Sequence, residues 1–313
     1  MISIVIPLYN KADTIERSIN SVLAQSVSDW ELIVVDDGST DTGPTIVSHF
    51  EDPRIRLVTQ VNAGVSAARN HGVELAKADV VAFVDGDDYW APGHLESMAN
   101  LIKLFPEASI FATAYFMVGE KGQVRKIRLS GKSDAPQTTR MMNYFEEASE
   151  GDPPIHSSAV AVNKADFMLI GGFPLGVKAG EDLITWARLV CIGEVAYSRE
   201  ATAYFVLPPV SVARNSSVIR RPPKPDYIGA ELAKLTTQHL QFGESLRKYL
   251  GDWHRIRAIL FMELNEHVDC LIELAKAVRT SGPRLRDFAN LSLLMLPART
   301  RAILLSRWRQ RND

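Results

Sequence analysis

Val80-Val81-Ala82-Phe83-Val84-Asp85-Gly86-Asp87-Asp88-Tyr89 runs five apolar residues straight into three carboxylates within four positions. A continuous apolar run of this length reads as a strand buried on both faces, as a parallel sheet requires. The acids then fall at its carboxyl end, with Gly86 letting the backbone turn sharply. In open α/β sheets that edge is where ligands bind. Carboxylates at this density repel one another unless a cation sits among them, and hard oxygen ligands suit Mg2+ or Mn2+. A divalent ion placed there can neutralise charge on a departing diphosphate. The plainer alternative is an acidic turn that caps a helix.

Working towards the N-terminus, Ile2–Pro7 is a strand, and Leu8-Tyr9-Asn10 leaves its carboxyl end as a loop. Asp13 is placed to cap a helix, with Glu16 completing a capping-box-like pair. Ile15, Ile19, Val22 and Leu23 give that helix one apolar stripe. Trp30–Val35 is a second strand and ends in Asp36-Asp37-Gly38-Ser39-Thr40-Asp41. Strand, helix and strand in this order make a right-handed βαβ unit. A helix from Thr42, a strand Ile55–Val58, a turn Asn62-Ala63-Gly64 and a helix Val65–Ala76 complete a Rossmann-like half. No G-x-G-x-x-G follows the first strand, which argues against an ordinary dinucleotide fold.

Working towards the C-terminus, Leu95–Phe105 reads as a helix, and Ile110–Val118 with Gln123–Leu129 as a hairpin. Residues 130–155 are polar and proline-containing and read as a flap, with a short helix near Arg140–Ala148. Ser158–Val162 is a strand and Lys164–Ile170 a helix, followed by the turn Gly171-Gly172-Phe173-Pro174. Glu181-Asp182 opens a helix through Ile192, where two acids also suit the helix dipole. Val195–Val206 holds one or two strands. The composition changes at Arg220-Arg221-Pro222-Pro223-Lys224-Pro225, a stiff linker. We therefore expect one domain over 1–219 and a helical region over 220–313.

In that helical region Ile256, Ile259, Leu260, Leu264, Val268, Leu271, Ile272, Ala275 and Val278 form a long apolar stripe. Arg284–Arg311 is rich in arginine and leucine and poor in acids. It reads either as a basic amphipathic segment lying on an anionic membrane or as a solvated face packed on the preceding helices. Dimerisation through the long stripe is a rival use of the same region.

The 313 residues are nearly half apolar, and the net charge of −2 gives no reason to expect nucleic acid as a partner. Cys191 and Cys270 have no metal-type spacing and fit a reducing compartment. Met1 leads directly into a strand with no basic n-region, and no apolar run approaches a membrane span. The expected location is cytoplasmic, with peripheral contact at the inner face of the membrane through the tail. There is no G-x-S-x-G, H-E-x-x-H or Cys–His pair to support a hydrolase. A carboxylate after strand two can accept hydrogen bonds from a base or ribose, a metal cluster can hold a diphosphate, and a later carboxylate can act as general base. That set suits displacement of a nucleoside diphosphate from a sugar.

The ordered motifs extend this reading. Val5-Ile6-Pro7-Leu8-Tyr9-Asn10, Val34-Val35-Asp36-Asp37-Gly38-Ser39-Thr40-Asp41, Asn62-Ala63-Gly64-Val65-Ser66-Ala67-Ala68-Arg69-Asn70, Phe83-Val84-Asp85-Gly86-Asp87-Asp88, Gly171-Gly172-Phe173 and Glu181-Asp182 span roughly residues 1–215. Together they resemble a family 2 glycosyltransferase: GT-A fold, inverting, DXD-type. The resemblance implies an α/β, Rossmann-like, mixed and mostly parallel sheet flanked by helices, then a C-terminal helical region. It implies that Pro7 and Tyr9 line a nucleotide pocket, Tyr9 stacking on the base; a core aromatic is the alternative for Tyr9. Asp36 would bind the base ring NH, and Arg69 would reach the nucleotide unless it is a helix-surface arginine. Asp85 would face the ribose or sugar, and Asp87 or Asp88 would touch Mn2+ or Mg2+. Asp182 would be the catalytic base, with Glu181 beside it.

The implied partners are a nucleotide-sugar donor, UDP-sugar favoured, and a saccharide or lipid-linked acceptor in polysaccharide or glycoconjugate synthesis. One departure is that Tyr204–Arg214 has no histidine where relatives often carry a His or Arg near the diphosphate; Arg214 is the candidate substitute. His156 reads as a satisfied loop histidine. A sugar-1-phosphate nucleotidyltransferase would need a Gly-rich basic loop that Leu8-Tyr9-Asn10-Lys11 does not offer. A non-catalytic nucleotide-sugar-binding scaffold is the third reading.

Overall fold

The computed structural model describes residues 1–129, 138–140 (backbone only), 143–177, 179–207, 221–294, 296 and 300. The chain forms two compact units, Met1–Pro209 and Val210–Asp313. The linker reading at Arg220 falls at the edge of undescribed residues 208–220. Arg214, Trp308 and all arginines beyond Arg286 also lie outside the described residues.

The first unit is a mixed sheet. Strands β1 (Ile2–Leu8), β2 (Trp30–Asp36), β3 (Ile55–Thr59) and β4 (Val80–Phe83) run parallel in the order β3-β2-β1-β4. β1 is buried throughout and β4 fully so, as a central parallel strand covered on both faces must be. Helices α1 (Ile15–Leu23), α2 (Gly43–Ser48) and α3 (Val65–Leu75) join these strands. α1 buries Ile15, Ile19 and Val22, but its N-cap is Thr14 and makes no side-chain cap bond, so the expected cap at Asp13 does not form. Instead Asp41 accepts the Ala12 N–H at 2.8 Å from a neighbouring loop.

The sheet continues through β5 (Tyr89–Trp90), β6 (Ile110–Val118), β7 (Val124–Lys126), β8 (Thr138–Arg140), β9 (Val160–Asn163) and β10 (Val195–Val206). β9 is antiparallel to both β4 and β6, and β10 pairs parallel to β6. The hairpin forms as β6–β7. α4 (His94–Leu104), α5 (Tyr144–Glu150), α6 (Lys164–Leu169) and α7 (Glu181–Ile192) complete the unit. The far half of the expected flap is packed: Tyr144, Phe145 and Ile155 are buried, and Tyr115 donates its hydroxyl to the Pro153 carbonyl at 2.9 Å.

An aromatic cluster of Phe83, Phe167, Phe173 and Trp186 lies behind the acidic turn, with ring centroids 5.4–6.5 Å apart. It draws the Gly171-Gly172-Phe173 turn inward. Gly172 has φ +66°, and a Cβ there would meet the Asn70 Oδ1 at 2.7 Å. Asn70 clamps the turn, accepting from Phe173 N at 2.9 Å and donating to Phe173 O at 2.8 Å.

The second unit contains α8 (Tyr227–Gln238), α9 (Gly243–Glu263), α10 (His267–Ser281) and α11 (Leu285–Leu294). Its core comprises Ala258, Phe261, Met262, Cys270 and Leu274, with Leu293 and Leu294 against it. The long stripe read from the sequence is not this core. Ile256, Val268, Leu271, Ile272 and Val278 are exposed, while Glu273, Arg255, Arg257 and Asp287 are buried. Pairing makes that inversion affordable: Arg255 forks onto Asp287 through two 2.8 Å bonds, and His254 Nδ1 lies 2.7 Å from Glu273. Asp226, His254 and Glu273 are close enough to hold a metal ion. Arg257 Nε, however, sits 3.3 Å from Asp226 and 3.4 Å from Glu273, so a fixed cation already balances the acids. No helix among the described residues is long and apolar enough to cross a membrane.

Candidate active site

The carboxyl ends of β1, β2 and β4 set the floor of the site. In the register Leu8 lies beside Asp36, so the loops leaving β1 and β2 are neighbours. Asn10 adopts φ +51°, a left-handed conformation that Asn tolerates better than most residues. Its amide donates to Ser39 Oγ at 3.1 Å, and its side chain accepts the Thr40 N–H at 2.8 Å. These bonds fix the turn that presents Tyr9. Tyr9 is 47% exposed, so it is not a core aromatic. Pro7, which precedes it, is buried at the end of β1.

Asp36 and Asp37 divide their work. Asp37 accepts from Ala63 N and Gly64 N, both at 2.8 Å, and from Gln60 Nε2, and so anchors the turn before α3. Asp36 accepts only the Ser39 N–H, at 2.9 Å through Oδ1, which leaves Oδ2 without a protein partner among the described residues.

That anchored turn starts α3, which carries Arg69 inward. Arg69 is 3% exposed, not a helix-surface residue. Its Nη2 donates to Asp85 at 2.5 Å, its Nη1 lies 3.8 Å from Glu181, and its guanidinium stands 5.1 Å from the Phe173 ring centroid. Burial works against the charge on both partners. Their mutual attraction outweighs it, holding Asp85 below and Arg69 above its ordinary pKa. Arg69 Nε and Nη1 make no hydrogen bond among the described residues.

The three acids of the turn have three environments. Asp85 pairs with Arg69. Asp87 is partly exposed and pairs with Lys11 Nζ from the loop after β1. Asp88 is buried, with Oδ1 accepting the Val206 N–H at 2.8 Å and Oδ2 accepting from Ser158 Oγ at 2.5 Å. Burial and the nearby Asp85 push its pKa well above the usual carboxylate range. Both Asp88 oxygens are thus engaged in tying the turn to the segment that leads into β9 and to the end of β10. Ser158 closes the clamp by accepting the Asp85 N–H at 3.0 Å.

Glu181 and Asp182 begin α7 behind Gly180, whose φ is +83°. The Asp182 Oδ1 accepts the Leu183 N–H at 2.8 Å. Glu181 is raised above its ordinary pKa by burial and by Asp182 beside it. His156 belongs to the same field. Its Nδ1 lies 3.9 Å from Asp88, and Asp85, Asp182 and Asp87 all act on it, yet burial dominates and lowers its pKa. The Ser158 N–H donates to its Nδ1 at 3.1 Å, and its ring packs against Phe205 and Tyr115, with centroids 4.1 and 5.2 Å away.

The structure therefore brings Arg69, Asp85, Asp87, Asp88, Glu181 and Asp182 into one electrostatic cluster. Lys11, His156 and Ser158 belong to it too, and sequence reasoning missed them as site residues. The Lys11 position after Tyr9-Asn10 was a legible hint; the other two are joined to the turn only by the fold. Among the described residues no three acids of this turn converge closely enough to form a ready-made metal cage. Of its carboxylates Asp87 is the one left to offer a divalent cation a ligand, Asp85 being paired with Arg69 and both Asp88 oxygens being bonded. Five carboxylates face the two cations Lys11 and Arg69 among the described residues, and Asp87, partly exposed, is paired with the partly exposed Lys11.

Comparison with known proteins shows the family and the fold. A family model described as glycosyl transferase family 2 matches residues 3–159. The putative teichuronic acid biosynthesis glycosyltransferase TuaG of Bacillus subtilis is 38% identical over 219 residues, covering 69% of this chain and 82% of TuaG. The UDP-Glc:alpha-D-GlcNAc-diphosphoundecaprenol beta-1,3-glucosyltransferase WfgD of Escherichia coli is 36% identical over 138 residues, covering 44% of this chain and 52% of WfgD. Several other curated relatives are matched over only about a quarter to a third of their length. Among solved structures, S. aureus TarS 1-349 superposes with a TM-score of 0.65 at 20% identity, over 89% of this chain and 80% of that one. A further TarS structure, in complex with UDP-GlcNAc, gives a TM-score of 0.58. The fold is accordingly GT-A.

Proposed function

Because this chain belongs to glycosyl transferase family 2, we propose that it is an inverting glycosyltransferase. It would take a nucleotide-diphosphate sugar, a UDP-sugar in the favoured reading, and glycosylate a saccharide or lipid-linked acceptor in bacterial polysaccharide synthesis. The observation that carries this is the cluster itself: a buried Arg69 held between Asp85 and Glu181, beside an Asp87 paired only with Lys11. The names of WfgD and of the TarS complex, which specify UDP-Glc and UDP-GlcNAc, support the choice of nucleotide.

In this mechanism Tyr9 stacks on the base, and the free oxygen of Asp36 accepts from its ring NH. Pro7 shapes the pocket wall. Asp85, oriented by Arg69, accepts from the ribose or sugar hydroxyls. Asp87 would hold Mn2+ or Mg2+, with Asp88 retained mainly as the brace of the turn, because its oxygens are already bonded. The bound ion would supply neutralisation of the diphosphate charge. Lys11, released from Asp87, is placed to follow that charge.

Asp182 takes the proton from the acceptor hydroxyl. The acceptor oxygen forms its bond to the anomeric carbon from the face opposite the diphosphate, and the carbon–oxygen bond to the diphosphate breaks with its electron pair leaving on phosphate oxygen. The configuration inverts. Glu181, raised in pKa and facing Arg69, positions the start of α7 and is not the base.

A donor screen tests this: UDP-, GDP- and dTDP-sugars incubated with Mn2+ and read by mass spectrometry and thermal shift. One nucleotide class should stabilise the fold and release its nucleoside diphosphate. Asp182→Asn should lower turnover by about 10²–10⁴-fold while leaving UDP affinity intact. If no nucleotide stabilises the protein and Asp87→Ala changes nothing, the reading is wrong.

A further inference from the structure

The apolar stripe of α10 faces outward. Val268 is 71% exposed, Leu271 and Ile272 are each nearly half exposed, and Leu285, Phe288 and Leu291 of α11 are exposed too. Between them an open groove of about 440 Å³ is lined by His267, Leu271, Leu291, Ser292 and Leu294. So much exposed apolar surface on two consecutive helices marks a contact surface.

Charge decides what covers it. Residues 267–313 hold nine Lys and Arg against four Asp and Glu, a net of +5, of which the described residues 267–294 carry four cations against three acids, whereas the whole chain carries −2 and the remainder therefore −7. Two of those four acids are turned inward: Glu273 is buried against His254 and Arg257, and Asp287 against Arg255. Arg279 and Arg286 are exposed on the same two helices. A second copy of the chain, docked through this patch about a two-fold axis, would set like charge against like charge. An anionic bilayer accepts both properties at once, taking apolar side chains below its headgroups and cations among them.

We propose that the outward face of α10 and α11 docks on an anionic phospholipid bilayer, holding the chain peripherally where a lipid-linked acceptor would reside. The proposal rests on the second unit alone and not on the donor chemistry of the first.

The test is co-sedimentation of the full chain with phosphatidylcholine vesicles, with and without phosphatidylglycerol, at low and high salt. Binding should require phosphatidylglycerol and weaken as salt rises. Val268→Ser with Phe288→Ser should reduce it by at least about ten-fold. Arg279→Glu with Arg286→Glu should do likewise. Both substitute exposed residues, so circular dichroism and thermal unfolding should match the parent. Absence of binding by the parent protein, or equal binding by the variants, overturns the proposal. So does light scattering that shows a dimer which the apolar pair converts to monomer without any vesicle binding. A failed donor screen beside intact vesicle binding would leave this inference standing.

Discussion

His156 carries its proton on Nε2, because the Ser158 N–H donates to Nδ1 at 3.1 Å. Burial lowers its pKa, so the ring is neutral near pH 7 and offers one uncharged donor among carboxylates. A neutral donor beside carboxylate acceptors suits a sugar hydroxyl, which both gives and takes a hydrogen bond. His156→Phe should keep the packing on Tyr115 and Phe205 yet raise KM for the nucleotide-sugar about three- to ten-fold, the worth of one hydrogen bond. Affinity for UDP alone should not move; calorimetry with both ligands checks this, and equal losses would mean that the ring only shapes the pocket. Arg69 has a structural signature as well as a binding one. Arg69→Met removes the cation between Asp85 and Glu181 and leaves buried carboxylates facing each other. Denaturant unfolding should show a loss of about 3 kcal/mol or more, and Arg69→Lys should recover only part of it, since a single ammonium cannot span the fork.

The strand ends and the turns between them are where sequence and structure agree most closely. Ile2–Leu8, Trp30–Asp36 and Val80–Phe83 were legible because parallel central strands are apolar on both faces, and acids mark the exits of the second and third of these. The Gly171-Gly172-Phe173 turn was legible as a turn but not as a core element, since the aromatic cluster joins residues far apart in sequence. Gly172→Ala should be strongly destabilising, because φ +66° and an Asn70 contact at 2.7 Å both oppose a Cβ. The stripe along α9 and α10 was legible but the core beside it was not: hydropathy cannot anticipate that Glu273, Arg255, Arg257 and Asp287 are buried by pairing while Val268 and Ile272 face out. That pairing carries a pH signature. His254, Lys276 and Arg257 hold Glu273 at a pKa of about 2, below its ordinary 4.5, although burial alone would raise it. A depressed carboxylate stabilises the fold fully above its unfolded pKa and loses that contribution as pH falls towards its folded one. The second unit should therefore weaken between about pH 4.5 and 2, and Glu273→Gln should flatten that dependence at a cost already present at neutral pH. Far-UV circular dichroism melts across this range provide the check.

At the scale of the molecule, the chain divides its chemistry between two compact units, each with its own core. The division explains why motif reading reached the first unit and stopped at the second. Loops at strand ends that gather polar side chains leave dense short motifs, whereas a helical unit leaves only stripes and charge. It also predicts separable responses. A nucleotide bound to the first unit stabilises it by about 2.7 kcal/mol at a hundred times its Kd. Trp30, Trp90 and Trp186 report on that unit, and Trp253 and Trp308 belong to the other. With Trp253→Phe and Trp308→Phe, tryptophan fluorescence melts should shift upward with UDP and Mn2+. With Trp30, Trp90 and Trp186 all replaced by Phe, the remaining Trp253 and Trp308 signal should instead follow the acid transition governed by Glu273. Trp90 donates to the Ser158 carbonyl at 2.6 Å and Trp186 is fully buried, so that second variant also needs the unsubstituted protein's circular dichroism as its reference. If UDP with Mn2+ moved the second unit's tryptophan signal by as much as the first unit's, the two units would unfold as one, and the prediction of separable responses would fail.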